Sequence, residues 1–187
     1  MKFESPMEQS EPSKETSRDQ EELTYLRDQR RLLWSLPTGL YLLGTNYDKA
    51  PHLMTTSWVS QVATSPKILM FSVEASSKTA RNLDHTKTFA LSILKTAQRS
   101  LIRRYVKGDQ VVNFTEDLLE IEGNTFSLTS NLDPFVPDGV GVIEGQIQSK
   151  VTFESHFVFF GEVTNMALFD SECDVLSMAD TKMNYGG

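Results

Sequence analysis

The sequence predicts a mainly β fold with flanking helices, in which about six strands form an antiparallel barrel. Short segments rich in Thr, Val, Tyr and Trp follow one another between turn residues, a pattern that is typical of strands. Two long strands, residues 140–153 and 156–169, surround a predicted hairpin at Glu154 and Ser155. The strand–helix alternation of a parallel sheet is absent, so the pattern favours an antiparallel barrel.

The elements before the long hairpin follow from local signals taken in order. Residues 1–20 are rich in Glu, Ser, Pro, Lys and Gln and predict a disordered acidic tail, which leaves residues 21–187 as a single domain. Apolar spacing predicts a helix over residues 21–36, which Pro37 ends. The remaining predictions are strands 39–47 and 52–63 as a hairpin, strand 68–73, helix 76–84, strand 89–94, helix 97–106 ending at Gly108, and an irregular segment 109–137.

Composition excludes several classes of function. The net charge of −7 disfavours a nucleic-acid-binding protein, because affinity for phosphate backbones rests on clustered Lys and Arg. No apolar run is long enough to predict a membrane span, and no signal region follows Met1, so the expected location is the cytoplasm. The three histidines are far apart in the sequence and there is one cysteine, so neither a metal site nor a disulfide is predicted.

Two hydroxyl-rich segments carry the candidate chemistry. Residues 55–61 lie on a predicted strand and turn, and residues 76–79 lie where a helix begins. Hydroxyl groups, a lysine and the free N–H groups of a first helical turn together suit a phosphate. Taken singly, each segment also has a structural interpretation, since exposed hydroxyls are frequent on strands and serines frequently cap helices.

The order of these segments resembles the flavin reductase-like, FMN-binding split-barrel family. The matching residues are 37–39, 53–61, 65–66, 69–73 and 77–80, followed by Ser155-His156, residues 159–163 and the closing residues 183–187. The resemblance covers roughly residues 30–170. One departure lies before His156, where the family commonly has Gly-Asp and this chain has Glu154-Ser155.

The resemblance implies an antiparallel Greek-key split β-barrel that forms a homodimer, with FMN rather than FAD bound non-covalently near the interface. NAD(P)H is the implied reductant, and an electron-accepting protein is an implied further partner. The residues implied to lie along the flavin ring and ribityl chain are Thr55, Thr56, Ser57 and Trp58, largely through their backbone groups. Ser60 and Gln61 would reach toward the ribityl and phosphate region, Phe71 and Ser72 would line the pocket floor, and Ser77, Lys78 and Thr79 would hold the phosphate.

Several interpretations stay open at this level. Trp58 is either a wall of the flavin site or an indole of the barrel core. His156, the candidate catalytic residue, either faces the nicotinamide and flavin rings or caps a tight hairpin. The protein as a whole is an NAD(P)H-dependent flavin oxidoreductase that passes hydride to flavin N5, an FMN electron carrier of the flavoredoxin type, or a non-redox ligand-binding module on the same barrel.

Overall fold

A computed structural model describes residues 14–106, 109–115, 118–181 and 183, with side chains from residue 19 onward. The chain divides into two units, one that contains residues up to Leu36 and one that spans Pro37–Met183. The elements are α1 (Lys14–Trp34), β1 (Tyr41–Tyr47), β2 (Ala50–Thr56), β3 (Val59–Thr64), β4 (Lys67–Glu74), α2 (Lys78–Thr86), β5 (Thr88–Ile93), α3 (Arg99–Arg104), β6 (Val112–Phe114), β7 (Leu119–Ile121), β8 (Asn124–Leu128), β9 (Pro134–Phe135), β10 (Gly141–Thr152) and β11 (His156–Leu168).

Helix α1 is longer than the sequence predicted. It begins at Lys14, whereas the sequence predicted a start at residue 21, and residues 1–13 of the predicted tail lie outside the described residues. The polar residues of this segment are compatible with a helix, which extends easily once the following turns have formed. The helix ends at Trp34, ahead of Pro37 as predicted.

Seven strands form one antiparallel sheet in the order β2-β1-β5-β10-β11-β4-β3. The predicted hairpins are confirmed: β1 pairs with β2 across a turn at Asp48 and Lys49, and β10 pairs with β11 from Gly141 to Thr152. Both turn residues of the first hairpin have positive φ, 54° and 57°, which is the geometry of a tight two-residue hairpin turn.

The predicted strand over residues 52–63 is wrong as a single element, because the chain forms two strands there. β2 and β3 lie at opposite edges of the seven-stranded sheet, although Ser57 and Trp58 alone separate them in the chain. The three peptide steps from Thr56 to Val59 span about 10 Å at most. The sheet must therefore curl until its two edges approach each other, which closes the barrel and leaves a split. We call the Ser57–Trp58 junction the seam.

Residues 109–137, predicted to be irregular, contain a second antiparallel sheet in the order β6-β7-β8-β9. Its strands have two to five residues each, too few to show the alternation that identifies a strand in sequence. Glu122 and Gly123 turn the chain between β7 and β8 with φ of 51° and 72°. The sheet covers one side of the barrel.

Two hydrophobic clusters hold these layers together. Leu42 and Leu43 are neighbours on β1 and point to opposite faces, so they belong to different clusters. Leu42 packs with Ile102 of α3 and Phe126 of the second sheet, while Leu43 packs in the cluster that contains Leu83 of α2. The helix predicted over residues 97–106 is shorter, a 3-10 turn followed by α3, and its predicted end at Gly108 lies outside the described residues.

Candidate functional site

The end of β4 brings the seam, the start of β11 and the start of α2 together. The Ser72 N–H donates to the carbonyl oxygen of Trp58 at 3.1 Å, and the Ala75 N–H donates to the carbonyl oxygen of Ser155 at 3.0 Å. In the β4–β11 register, His156 lies opposite Glu74, and α2 begins four residues after Glu74. Segments that are more than 90 residues apart in the sequence therefore meet at one end of the barrel.

Trp58 and His156 form the aromatic part of this region. Their ring centroids are 5.2 Å apart with an interplanar angle of 54°, and the Trp58 side chain is 37% exposed. The His156 Nδ1 atom lies 2.9 Å from the Ser155 hydroxyl. Trp58 is therefore at the surface of the barrel, beside the predicted catalytic histidine, and is not a core indole.

The start of α2 has the properties of an anion-binding site. Ser77 is the N-cap, and its Oγ accepts a hydrogen bond from the Ala80 N–H at 3.0 Å. The first turn contains no acidic residue that would neutralise the positive end of the helix. Among the described residues, no carboxylate lies within ion-pair distance of the half-buried Lys78. The cap and the lysine thus leave a positive corner available to an anion.

Two buried hydroxyl groups of the predicted set have no hydrogen-bond partner in the described part of the chain. They are Oγ of Ser57, which is 1% exposed, and Oγ1 of Thr79, which is fully buried. A buried hydroxyl without a partner costs about 1–3 kcal/mol, so such groups commonly mark a place where a ligand or water completes the hydrogen bonding. One lies at the seam and the other in the first turn of α2.

Thr55 and Thr56, which the sequence treats alike, point to opposite faces of β2. The Thr55 hydroxyl donates to the carbonyl oxygen of Ile102 at 2.7 Å, and its N–H donates to the carbonyl oxygen of Tyr105 at 2.9 Å. Both groups fasten β2 to α3, so the side chain and the N–H of Thr55 are already committed to the fold. Thr56 is buried on the other face, the one that α2 covers.

The remaining predicted residues lie less close to this corner. Phe71 is fully buried and packs on Phe89 and Phe159 with ring centroids 5.0 and 6.0 Å away, so its side chain belongs to the core beneath the site. Ser60 and Gln61 are exposed on β3, and their side chains bond to backbone carbonyls of their own strand. No side-chain hydrogen bond joins either of them to α2 in the part of the chain that the structure describes.

One residue of the site was missed from the sequence. His52 lies on β2 and is 7% exposed. Burial, and to a smaller extent the positive charge of Lys78, lower the pKa of its imidazole to about 4. His52 lies opposite Thr45 in the β1–β2 register, and the Thr45 hydroxyl accepts a hydrogen bond from Asn82 of α2, one helical turn after Lys78. The sequence did not predict this residue, because a single histidine on a strand gives no indication of which helix or charge will lie next to it.

Within the described residues, no group of three or more His, Cys, Asp or Glu side chains could hold a metal ion. The same part of the chain contains no helix of sufficient length and apolarity to cross a membrane.

Comparison with known proteins agrees with this fold. Solved structures that are similar include a flavin reductase domain protein from Arthrobacter sp. FB24, with 20% identity, a TM-score of 0.68 and coverage of 83% of this chain and 89% of that one. An NADH:FAD oxidoreductase, SgcE6, from Streptomyces globisporus C-1027 has 20% identity, a TM-score of 0.69 and coverage of 92% and 93%. The styrene monooxygenase flavin reductase from Pseudomonas putida S12 has 19% identity, a TM-score of 0.65 and coverage of 79% and 90%.

These similarities define the fold as a flavin reductase-like split barrel. The family model for the flavin reductase like domain matches residues 33–186, which is most of the chain, and the protein belongs to that family. No curated protein sequence matches significantly. Family membership supports an oxidoreductase that acts on flavin.

Proposed function

We propose that the protein is an NAD(P)H-dependent flavin reductase that binds FMN across the seam and the start of α2. The observation that carries this proposal is the cationic first turn of α2, on the same end of the barrel as the Ser57 hydroxyl. Among the described residues Lys78 has no carboxylate partner, and the hydroxyl groups of Thr79 and Ser57 have no hydrogen-bond partner. These groups suit a ligand with a phosphate at one end and a polar ring system at the other. The named solved structures, which include an NADH:FAD oxidoreductase, support the flavin and the nicotinamide as ligand classes.

Different residues would bind different parts of the flavin. Ser77, Lys78 and Thr79 would hold the phosphate through N–H groups of the helix, the ammonium and the hydroxyl. Thr56, Ser57 and the backbone of Trp58 and Ser72 would lie along the ring and the ribityl chain. Ser60 and Gln61, on the exposed edge β3, would act at the entrance, and Phe71 would support the floor from the core.

The reaction asks little acid–base chemistry of the protein. When bound, the flavin supplies the acceptor of a hydride from the nicotinamide. The chain must hold the two rings against each other and keep water out. Trp58 and His156 form the exposed aromatic surface where a nicotinamide would approach, which makes His156 the candidate catalytic residue.

Two further parts of the proposal concern partners. Met166, Leu168 and Phe169 at the end of β11 are 53%, 70% and 42% exposed, and such apolar side chains support the expected homodimer. Size-exclusion chromatography with light scattering tests this directly. A protein that consumes the reduced flavin is the expected downstream partner, as for the flavin reductase component of a two-component tryptophan halogenase, BorF. A cytoplasmic location stays a prediction of the sequence.

An anaerobic titration tests the central proposal. The purified protein is loaded with FMN, and NADH or NADPH is added while the flavin absorbance is recorded. Bleaching by either nicotinamide is the expected result. If both fail while dithionite succeeds, the protein is an electron carrier, and if no flavin binds at all, a non-redox module replaces both. Repeating the titration with FAD decides between the two flavins.

A further inference from the structure

His52 lies on the face of the β1–β2 hairpin that α2 covers. It pairs with Thr45 in the β1–β2 register, and directly opposite residues of an antiparallel pair share a face. The Thr45 hydroxyl accepts a hydrogen bond from Nδ2 of Asn82 on α2, at 3.1 Å. The same face carries Met54, which packs against the cluster that contains Leu83 of α2. His52 therefore lies between the hairpin and the helix that starts with Lys78.

The charges around His52 come from two directions. Lys78 and Arg81 of α2 act on it with positive charge, and the Arg81 guanidinium is folded back toward the helix start, where it donates to the carbonyl oxygen of Ser76 at 2.8 Å. From the segment after α3, Asp109 and the Gln110 side chain favour the protonated ring. Burial and the charge of Lys78 outweigh the effects of Asp109 and Gln110. They lower the pKa of His52 to about 4, so the ring is neutral.

A neutral, buried imidazole at this position leaves a hydrogen-bonding atom unused. Nδ1 of His52 is buried and has no partner among the described residues. Such an atom costs folding free energy, and a smaller apolar side chain would avoid the cost. The arrangement is favourable when a negatively charged group enters beside the two cations, because its charge offsets the field that keeps the proton off the ring.

We propose that His52 is a further phosphate-binding side chain, which takes up a proton from solvent when a phosphate monoester binds beside Lys78. The proposal rests on the proposed function, whose phosphate site it extends. The lone pair of the free ring nitrogen forms the new N–H bond, both ring nitrogens become donors, and one donates to a phosphate oxygen. A protonated His52 adds its charge to those of Lys78 and Arg81 and so favours a terminal phosphate dianion. The site therefore selects FMN over riboflavin, which lacks the phosphate, and over FAD, whose phosphates are singly charged diesters.

Isothermal titration calorimetry at pH 6 tests the proposal on the full chain, with FMN and riboflavin as titrants. Buffers with different ionisation enthalpies report the number of protons taken up. We expect the wild-type protein to take up about half a proton or more per FMN beyond the His52→Gln variant, since the ionisation of the phosphate itself is common to both. His52→Gln is expected to weaken FMN about tenfold and riboflavin less than twofold.

A matched variant controls for the loss of a histidine as such. His85 is exposed in the last turn of α2, at the opposite end of the helix from Lys78, and stacks on Tyr47 with ring centroids 4.3 Å apart. His85→Gln is expected to retain the wild-type FMN affinity and proton uptake. An NMR titration of wild-type protein labelled at histidine measures the pKa of His52 without any variant. It replaces the calorimetric comparison if His52→Gln fails to fold. The pKa of His52 should then rise by at least about two units on addition of FMN, as an uptake of half a proton at pH 6 requires.

The outcomes separate this inference from the function on which it rests. Equal proton uptake in wild type and His52→Gln, or an unchanged pKa of His52 in the NMR titration, overturns the role of His52. If Lys78→Ala discriminates FMN from riboflavin while His52→Gln does not, the phosphate site stands and His52 is no part of it. If the wild-type protein binds no flavin, both the function and this inference fail.

Discussion

Replacing Lys78 by alanine separates a ligand-binding role from a structural role. The substitution should weaken FMN binding, whereas it should leave the stability of the ligand-free protein unchanged or raise it slightly. Lys78 is the first residue of α2, where a positive charge opposes the helix dipole and alanine is the better helix former. The ligand-free variant is therefore expected to be as stable as the wild type or slightly more stable. Without a carboxylate partner among the described residues, Lys78 also loses no ion pair on substitution.

The expected loss of FMN affinity follows from one charge-assisted contact. A hydrogen bond to a charged group contributes about 1.5–3 kcal/mol, which corresponds to roughly a 10- to 100-fold increase in Kd. Riboflavin has no phosphate, so its Kd should change less than about twofold. Quenching of flavin fluorescence measures both constants, and raising the salt concentration should reduce the difference between wild type and variant.

The control is Lys67→Ala, which removes an exposed lysine at the start of β4. It should leave the affinity for both flavins unchanged. Equal loss of FMN and riboflavin affinity in Lys78→Ala would refute the phosphate assignment, as would a variant that binds FMN like the wild type. A marked drop in Tm of the ligand-free variant would refute the account of the helix start.

Three further substitutions test the fold and its electrostatics. Thr55→Val removes the buried hydrogen bond to Ile102 and should destabilise the protein by about 1–3 kcal/mol in urea unfolding. The flavin affinity of the folded variant should be unchanged. A loss of flavin affinity without a loss of stability would show that Thr55 binds the flavin. Tyr105→Phe removes the 2.9 Å bond to the carbonyl oxygen of Ile121 and should cost about 1 kcal/mol, and no loss of stability would contradict the role of this hydroxyl in fastening the second sheet. Burial raises the pKa of Asp133 to about 6. Its folded carboxyl therefore binds a proton more tightly than the unfolded chain does, so this stabilisation, roughly 3 kcal/mol, is present below pH 4 and is lost as the pH rises through 6. Asp133→Asn should remove that part of the pH dependence, and an unchanged pH profile would show that the pKa of Asp133 is the same in the folded and the unfolded chain.

Local sequence patterns were sufficient to predict those elements that a few neighbouring residues specify. The β10–β11 hairpin followed from two long β-rich runs around Glu154 and Ser155. The start of α2 followed from the serines before Lys78, and Ser77 is indeed its cap. The second sheet gave no such signal, because strands as short as Pro134–Phe135 are held by pairing with their neighbours and show no alternation of their own.

The sequence by itself determined that the protein is mainly antiparallel β, that hydroxyl groups and a lysine precede a short helix, and that the chain resembles flavin reductases. The tertiary structure alone decided that the run through Ser57 and Trp58 breaks at a barrel seam, that Thr55 faces α3 while its neighbour Thr56 faces α2, and that His52 lies on the face of β2 that α2 covers. The reason is that local periodicity reports which residues of one strand share a face. It does not report which distant segment, helix or charge that face meets, and those long-range pairings decide what each side chain of the site can do.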